Sequence, residues 1–196
     1  MKKLLVVVML AMCCIACHSQ ECPYKFLGIP IEGTMDEFAK KLEEKGFKKN
    51  YFSPLKVDRD KGCYNYYFTG KFFGKDCEVC LFSYDINSNI ISGVAVLYAK
   101  NLYLYRELRN ALAKQYSDTN KWVFDTTSDI GDLSDYQIRQ ALSEGEKFYF
   151  KIVNIKVGCS YIHLGIADDL LVCSYFNSSR VAKIEGEKDA KKVQDL

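Results

Sequence analysis

Two stretches of the chain, residues 63–99 and 146–176, alternate apolar and polar side chains and are rich in aromatic and β-branched residues. This pattern predicts three strands in each stretch. The first three strands are expected near residues 63–71, 76–84 and 90–99. Short turns, "DINSN" and "ADDL", separate neighbouring strands, because Asp and Asn side chains satisfy turn backbone locally. Strands joined by such short turns pair antiparallel, which excludes a fold built from βαβ units.

Helices are predicted before and between these strand runs. In "GTMDEFAKKLEEKG", Thr34 and Glu37 form a capping box and Gly46 ends the helix. "NLYLYRELRNALAKQY" has helical periodicity, and "SDYQIRQALSEG" repeats the capping box with Ser134 and Gln137 before a terminating glycine. "KWVF" is a short strand. The sequence therefore predicts an α+β fold, with helices on one face of an antiparallel sheet that is either continuous or made of two similar half-sheets.

The N-terminus carries a different pattern. Lys2 and Lys3 precede an apolar run from Leu4 to Ala16, and polar residues follow at once. A membrane-spanning helix needs about 20 apolar residues, so the run is too short to span a bilayer. A basic start, a short apolar run and a small residue before the cleavage point are typical of a secretory signal peptide. We therefore assign residues 1–16 to a signal peptide. A buried N-terminal strand is the alternative, and it agrees less well with two lysines followed by a long, unbroken apolar run.

The segment "CIAC" resembles a bacterial lipobox, in which a small residue precedes a cysteine that becomes lipid-modified. Cys17 is then the lipidation site, although Cys14 stands where Leu is usual. Cleavage of the same bond by ordinary signal peptidase is the alternative. The predicted organisation is a signal peptide at 1–16, a lipid-anchored linker at 17–25, a single α+β domain at 26–183 and a polar C-terminal tail at 184–196.

The charge balance excludes one class of partner. The chain has 27 basic and 25 acidic residues, and loss of the two leader lysines leaves equal numbers. Binding to phosphate backbones requires a clustered excess of basic side chains. We therefore expect no nucleic-acid partner.

Nine cysteines are a high count for a chain of this length. Two leave with the leader and Cys17 is the predicted lipid site, so six remain. The remaining six are candidates for disulfides: Cys22, Cys63, Cys77, Cys80, Cys159 and Cys173. Exported proteins often carry such bridges, but a free cysteine also packs as a small buried hydrophobe. The spacing of the cysteines in the sequence does not show whether they form disulfides or pack as free thiols.

The segment "CEVC" matches a redox C-x-x-C motif, but it lies in a predicted strand. Residues three apart in a strand lie on opposite faces, so the two sulfurs should diverge. Cys77 is expected to pack with Val79 and Leu81, and Cys80 with Phe82 on the other face. A catalytic dithiol is therefore the less favoured alternative to a packing or structural role.

The sequence offers few other residues that could bind a metal or catalyse a reaction. Only His18 and His163 remain in the mature chain, so no metal site and no cofactor are predicted. His163 lies between Ile162 and Leu164 and is expected on the less buried face of its strand. No nucleophile motif is present.

Both faces of the first long strand carry aromatic residues. Tyr64, Tyr66 and Phe68 share one face and Tyr67 lies on the other. One face of this strand is then expected to pack in the core. The other is either an exposed groove for peptide or glycan, or a surface rimmed by tyrosine hydroxyls, which is the simpler interpretation.

The leader, "FLGIPIEGTMDEFAKKLEEKGFK", "YFTGKFFGKDCEVCLFSY" and "ALSEGEKFYFKI" together resemble uncharacterised exported lipoproteins of gut Bacteroidetes. The order of elements is similar to small lipoprotein domains of the outer-membrane assembly machinery and to β-lactamase-inhibitor-like folds. Those are binding modules without catalysis, so the resemblance implies a binding function.

The expected function is that of a non-enzymatic lipoprotein of the cell envelope, held to a membrane by the lipid on Cys17 and facing the periplasm. The outer membrane is favoured over the inner. It would bind an envelope protein or a small ligand through a sheet face. The alternatives are a thiol-disulfide active protein using Cys77 and Cys80, and a purely structural envelope component.

Overall fold

The computed structural model describes residues 25–51, 64–83, 89–118, 122–125, 130, 133–154, 160–167 and 170–177. The predicted signal peptide, the lipidation site and the polar tail lie outside these residues, as do Cys22, Cys63 and Cys159. None of the helices that the structure describes is long and apolar enough to cross a membrane.

The described chain forms ten strands and three helices. The strands are β1 (Lys25–Phe26), β2 (Ile29–Pro30), β3 (Lys48–Lys49), β4 (Tyr64–Phe72), β5 (Lys75–Ser83), β6 (Gly93–Ala99), β7 (Trp122–Asp125), β8 (Phe148–Asn154), β9 (Ser160–Ala167) and β10 (Leu170–Asn177). The helices are α1 (Met35–Glu44), α2 (Leu102–Gln115) and α3 (Asp135–Ser143).

Eight of the strands form one antiparallel sheet in the order β3-β4-β5-β6-β10-β9-β8-β7, and β1 and β2 form a separate hairpin. The α+β prediction is confirmed. The sheet consists of two similar halves. In each half a capped helix, α1 or α3, leads into a three-stranded meander, β4–β6 or β8–β10. The halves join where β6 pairs with β10.

Both predicted capping boxes are present. The Thr34 hydroxyl accepts from the Glu37 backbone N–H at 3.2 Å, and the Glu37 carboxylate accepts from the Thr34 N–H at 3.0 Å. Ser134 and Gln137 make the equivalent pair of bonds at the start of α3. Each box satisfies two N–H groups that the first turn of a helix cannot pair internally.

One core joins the three helices to one face of the sheet. Paired residues on neighbouring strands lie on the same face, and one such row crosses six strands: Phe68, Val79, Val96, Cys173, Leu164 and Phe150. All six are buried in a core that also contains Phe38 of α1, Leu108 of α2 and Ile138 of α3. The helices therefore cover a single face, as the sequence predicts.

The strand boundaries differ slightly from the prediction at the start of β6. Ile90 forms an isolated antiparallel bridge with Thr34, and the Ile91 N–H donates to the Gly33 carbonyl at 3.2 Å. This segment therefore pairs with the chain entering α1, and sheet pairing begins only at Gly93. The short strands β1, β2 and β3 are not predicted from the sequence.

Candidate functional site: the open face of the sheet

The face of the sheet opposite the helices is here named the open face. No helix among the described residues lies over it, since all three contribute to the core on the other side. Its members alternate along the strands with the core residues. They include Tyr67, Glu78, Cys80, Phe82, Ala95, Leu97, Tyr149, Lys151, Tyr161, His163, Val172, Ser174 and Phe176.

Three aromatic side chains form a continuous row on the open face, here named the aromatic stripe: Phe82, Phe176 and Tyr161. Tyr161 and Phe176 are directly paired across β9 and β10, and their rings stack with centroids 4.4 Å apart. The Phe82 ring meets Phe176 edge-on at 5.4 Å. Between them lies Gly93, where any Cβ would overlap the Phe82 ring. The glycine lets Phe82 lie flat across β6 and reach Phe176.

A second aromatic pair lies beside the stripe. Tyr149 and His163 stack with centroids 4.7 Å apart. The Tyr149 ring covers Gly165, where a Cβ would be 3.0 Å from the nearest ring carbon. The Lys151 ammonium lies 4.6 Å from the centroid of the Tyr161 ring. Most ring faces in this region are therefore already in contact with other side chains of the protein.

Short side chains occupy the row next to the stripe. Cys80 of β5 pairs with Ala95 of β6, which pairs with Ser174 of β10. In the next row Leu97 pairs with Val172. Among the described residues, Cys80 and Leu97 are the two buried apolar side chains outside the core, at 2% and 7% exposure. On the open face a band of short side chains therefore lies between larger ones, and Cys80 and Leu97 within it are almost fully covered; we name this band the groove.

The groove is poor in charge. Burial lowers the pKa of His163 from its ordinary value, and the nearby Lys151 ammonium lowers it further. The imidazole is therefore neutral at pH 7. Glu78, at the other side of the groove, accepts a hydrogen bond from the Asn50 side chain at 2.8 Å. Such a surface favours apolar and hydrogen-bonding contacts over recognition of a charged ligand.

The structure separates the two cysteines of the C-x-x-C segment, as their position in a strand predicts. Cys77 packs against the core, and burial raises the pKa of its thiol to about 11. Cys80 lies on the open face. Cys173 is fully buried in the core and burial raises its pKa to about 12. No disulfide joins any two of these three, the cysteines that the structure describes.

His163 and the aromatic residues of β4 lie where the alternation predicts. His163 is half-buried on the open face, between the fully buried Ile162 and Leu164. Phe68 is in the core and Tyr66 packs against it, donating its hydroxyl to Asp36 at 2.8 Å. The side chain of Tyr64 lies outside the described residues.

Sequence reasoning missed the stripe itself. Its members come from three strands, β5, β9 and β10, in which they alternate with core residues. That alternation is visible in "SYIHLGI" and "LVCSYF", where Tyr161, His163 and Phe176 each stand next to a buried core residue. Only the strand order reveals that these residues lie side by side.

No group of three or more His, Cys, Asp or Glu side chains within the described ranges is arranged to hold a metal ion. Comparison of the chain with known protein families, with curated proteins and with solved structures finds no match.

Proposed function

We propose that this protein is a non-enzymatic lipoprotein of the cell envelope that binds a polypeptide on the open face of its sheet. Cys17 carries the lipid, and the domain faces the periplasm, with the outer membrane favoured over the inner. The leader sequence supports the anchor and the location. The observation that supports the binding role is the aromatic stripe beside an apolar groove, on the face that none of the described helices covers.

The geometry favours a polypeptide over a glycan. Sugars bind proteins by stacking on the exposed faces of aromatic rings. Here Tyr161 has Phe176 stacked at 4.4 Å, and the Lys151 ammonium also lies over its ring. Ring faces of Tyr161 and Phe176 are therefore already occupied, and a bound segment would lie across the stripe and the adjoining groove of short side chains.

The thiol-disulfide alternative gains no support from the sheet geometry. A C-x-x-C catalyst needs both sulfurs on one side and a thiol of lowered pKa. Cys77 and Cys80 lie on opposite faces, and the Cys77 pKa is raised.

Photo-crosslinking in cell envelopes tests the binding role. A photo-reactive amino acid at Val172, in the groove, should yield a discrete crosslinked partner, whereas one at Tyr136, on α3 and 76% exposed, should not. Replacing Tyr161 and Tyr149 with alanine should abolish the crosslink from Val172. Replacing the two exposed helix tyrosines, Tyr103 and Tyr136, should leave it intact. No crosslink, or one insensitive to the open-face changes, contradicts the proposal.

A further inference from the structure

Three neighbouring strands in the middle of the sheet, β6, β10 and β9, have no Asp, Glu, Lys or Arg at the open-face positions that the structure describes. His163 of β9 is the side chain in this region that can gain a charge near neutral pH. A change of charge in the middle of the open face therefore follows the protonation of this one imidazole.

His163 lies at the end of the groove. It is directly opposite Ser174 of the groove across β9 and β10, and its ring stacks on Tyr149 with the centroids 4.7 Å apart. Directly opposite residues of a sheet have Cβ atoms about 4.5–5.5 Å apart. A polypeptide that covers Ser174 would therefore also cover the half-buried imidazole.

A lysine lies on the other side of His163. Lys151 of β8 is directly opposite His163, and its ammonium lies 4.6 Å from the centroid of the Tyr161 ring. Like charges at directly opposite positions of a sheet destabilise each other. Together with burial, Lys151 lowers the pKa of His163. A proton on His163 would place two cations side by side at the end of the groove.

The strands around His163 offer that proton no negative partner. Its open-face neighbours are Tyr161 and Gly165 on β9, Tyr149, Lys151 and Val153 on β8, and Val172, Ser174 and Phe176 on β10. Tyrosine hydroxyls have a pKa of about 10 and are neutral in this range. The open-face carboxylates nearest in the strand order are Asp125 of β7, opposite Lys151, and Glu78 of β5. Neither belongs to a strand that adjoins β9.

We propose that His163 makes binding on the open face dependent on pH: the partner binds while the imidazole is neutral and is released when it takes up a proton. This rests on the polypeptide-binding role proposed above. A bound partner removes His163 from water, and an imidazolium there would be a buried cation beside Lys151, which is costly without an anionic partner. Partner and proton therefore compete, and each weakens the binding of the other by the same factor.

The pH dependence of the photo-crosslink from Val172 tests this switch. The full chain, purified in detergent with the photo-reactive residue in place, is titrated into envelopes from cells that lack the protein. The titrations run between pH 5 and 8, around the ordinary histidine pKa of about 6.5. The concentration that gives half-maximal crosslinking should be constant above pH 6.5 and rise at lower pH, by up to about tenfold for each pH unit. Circular dichroism verifies that the protein is folded at each pH.

Two variants separate the imidazole from other titrating groups. His163→Gln should bind at pH 8 and lose most of the pH dependence, so that the remainder reports the partner's own groups. Lys151→Met removes one cause of the lowered pKa, so binding should begin to weaken at a higher pH than in the parent. Lys114→Met, at an exposed position of α2, is the matched control and should leave the profile unchanged.

A titration of the histidine ring signals by NMR, without partner, distinguishes failure of the switch from failure of the binding role. The signal that His163→Gln removes should have its midpoint below 6.5, and Lys151→Met should raise that midpoint. Crosslinking that stays constant, or becomes stronger, as this signal titrates overturns the switch and leaves the binding role standing. A pH profile that His163→Gln does not change also overturns the switch. No crosslink at any pH overturns the binding role, and the switch with it.

Discussion

Tyr161 and Phe176 lie directly opposite each other on β9 and β10, and their rings stack at 4.4 Å with only 16° between the ring planes. This pair links the two strands on the open face, while their neighbours in sequence fill the core on the other side. The same residues thus contribute to the stability of the sheet and to its proposed binding surface, so the two roles have to be measured separately.

A double-mutant cycle on Tyr161 and Phe176 should give a coupling free energy of about 0.5–1.5 kcal/mol, the typical value of an aromatic pair beyond its buried area. The measurement is urea unfolding of Tyr161→Ala, Phe176→Ala and the double variant. The same cycle on Tyr161 and the distant Phe73 is the control and should give no coupling. Additive effects at the stacked pair would contradict the geometry.

Gly93→Ala should destabilise the protein by about 1–3 kcal/mol, the usual effect of overpacking. A Cβ at Gly93 would overlap the Phe82 ring and lie 2.7 Å from the Tyr175 carbonyl oxygen. The carbonyl belongs to the backbone of a central strand and cannot move aside, so adding Phe82→Ala should not restore full stability.

Gly165→Ala is the matched control, because the atoms nearest to its new Cβ belong to side chains and not to the backbone: the Tyr149 ring at 3.0 Å and, in ordinary contact, the His163 ring at 3.8 Å. The Tyr149 side chain can shift by a few tenths of an ångström. Chemical denaturation should therefore show a smaller loss than for Gly93→Ala. An equal loss would mean that the ring, and not the carbonyl, sets the penalty at Gly93.

Stability should decrease as the pH falls below 6.5, the ordinary pKa of histidine. The folded protein lowers the pKa of His163, so the unfolded chain binds a proton at a higher pH than the folded chain does. The neutral imidazole contributes fully above pH 6.5, and its contribution is lost as the pH falls towards the lowered value. Comparison of His163→Gln with the parent by denaturant unfolding between pH 5 and 8, a range chosen around the ordinary value of about 6.5, should show a flatter profile for the variant.

The capping boxes should contribute about 1 kcal/mol each, measured as the loss on Thr34→Ala or Ser134→Ala. Only the first depends on pH. The Thr34 backbone N–H and hydroxyl lower the pKa of Glu37 from 4.5. The stabilisation is complete above pH 4.5 and is lost as the pH falls through the lowered pKa. Glu37→Gln keeps an accepting oxygen, so this variant should retain the cap and lose that acid dependence.

The thiols of Cys77, Cys80 and Cys173 should react slowly with iodoacetamide at pH 8 in the folded protein. Burial raises the first and third pKa values to about 11 and about 12, and Cys80 is nearly inaccessible. In denaturant without reductant, an Ellman titration should detect at least three thiols. Fewer than three would show that one of them forms a disulfide with a cysteine outside the described residues.

Insulin reduction tests the thiol alternative. The parent protein and Cys77→Ser should both show background rates, because the two sulfurs of the C-x-x-C segment lie on opposite faces. An activity that Cys77→Ser abolishes would contradict the non-enzymatic proposal.

Short sequence motifs predict those structural features, such as helix caps, whose contacts join residues close together in the chain. Thr34 and Glu37 are three residues apart, and their hydrogen bonds form within one turn of helix, so the sequence suffices. The β1–β2 hairpin was missed for the opposite reason. Leu27 has a φ of +52°, which its identity does not favour, and the hairpin is held in place by Phe26 packing against Phe72 and Tyr175. Only the folded chain brings those partners together.

The open face was predicted in part. Alternation placed Cys80 and His163 on the correct side of their strands, because the period of a strand is local. Alternation cannot predict which side chains of other strands lie next to Phe82. Its partner Phe176 becomes adjacent only through the pairing of β6 with β10, which no local pattern specifies.

The central position of β10 has a consequence for how the protein acquires its structure. The last strand of the described chain is inserted between β6 and β9. A polypeptide is made from its N-terminus, and residues 170–177 are the last part of the sheet to become available, so β6 keeps one unpaired edge until they are present. Only then can the two half-sheets join. A chain that ends before Leu170 would leave β6 and β9 each with an unpaired edge, which can pair with the strands of other chains.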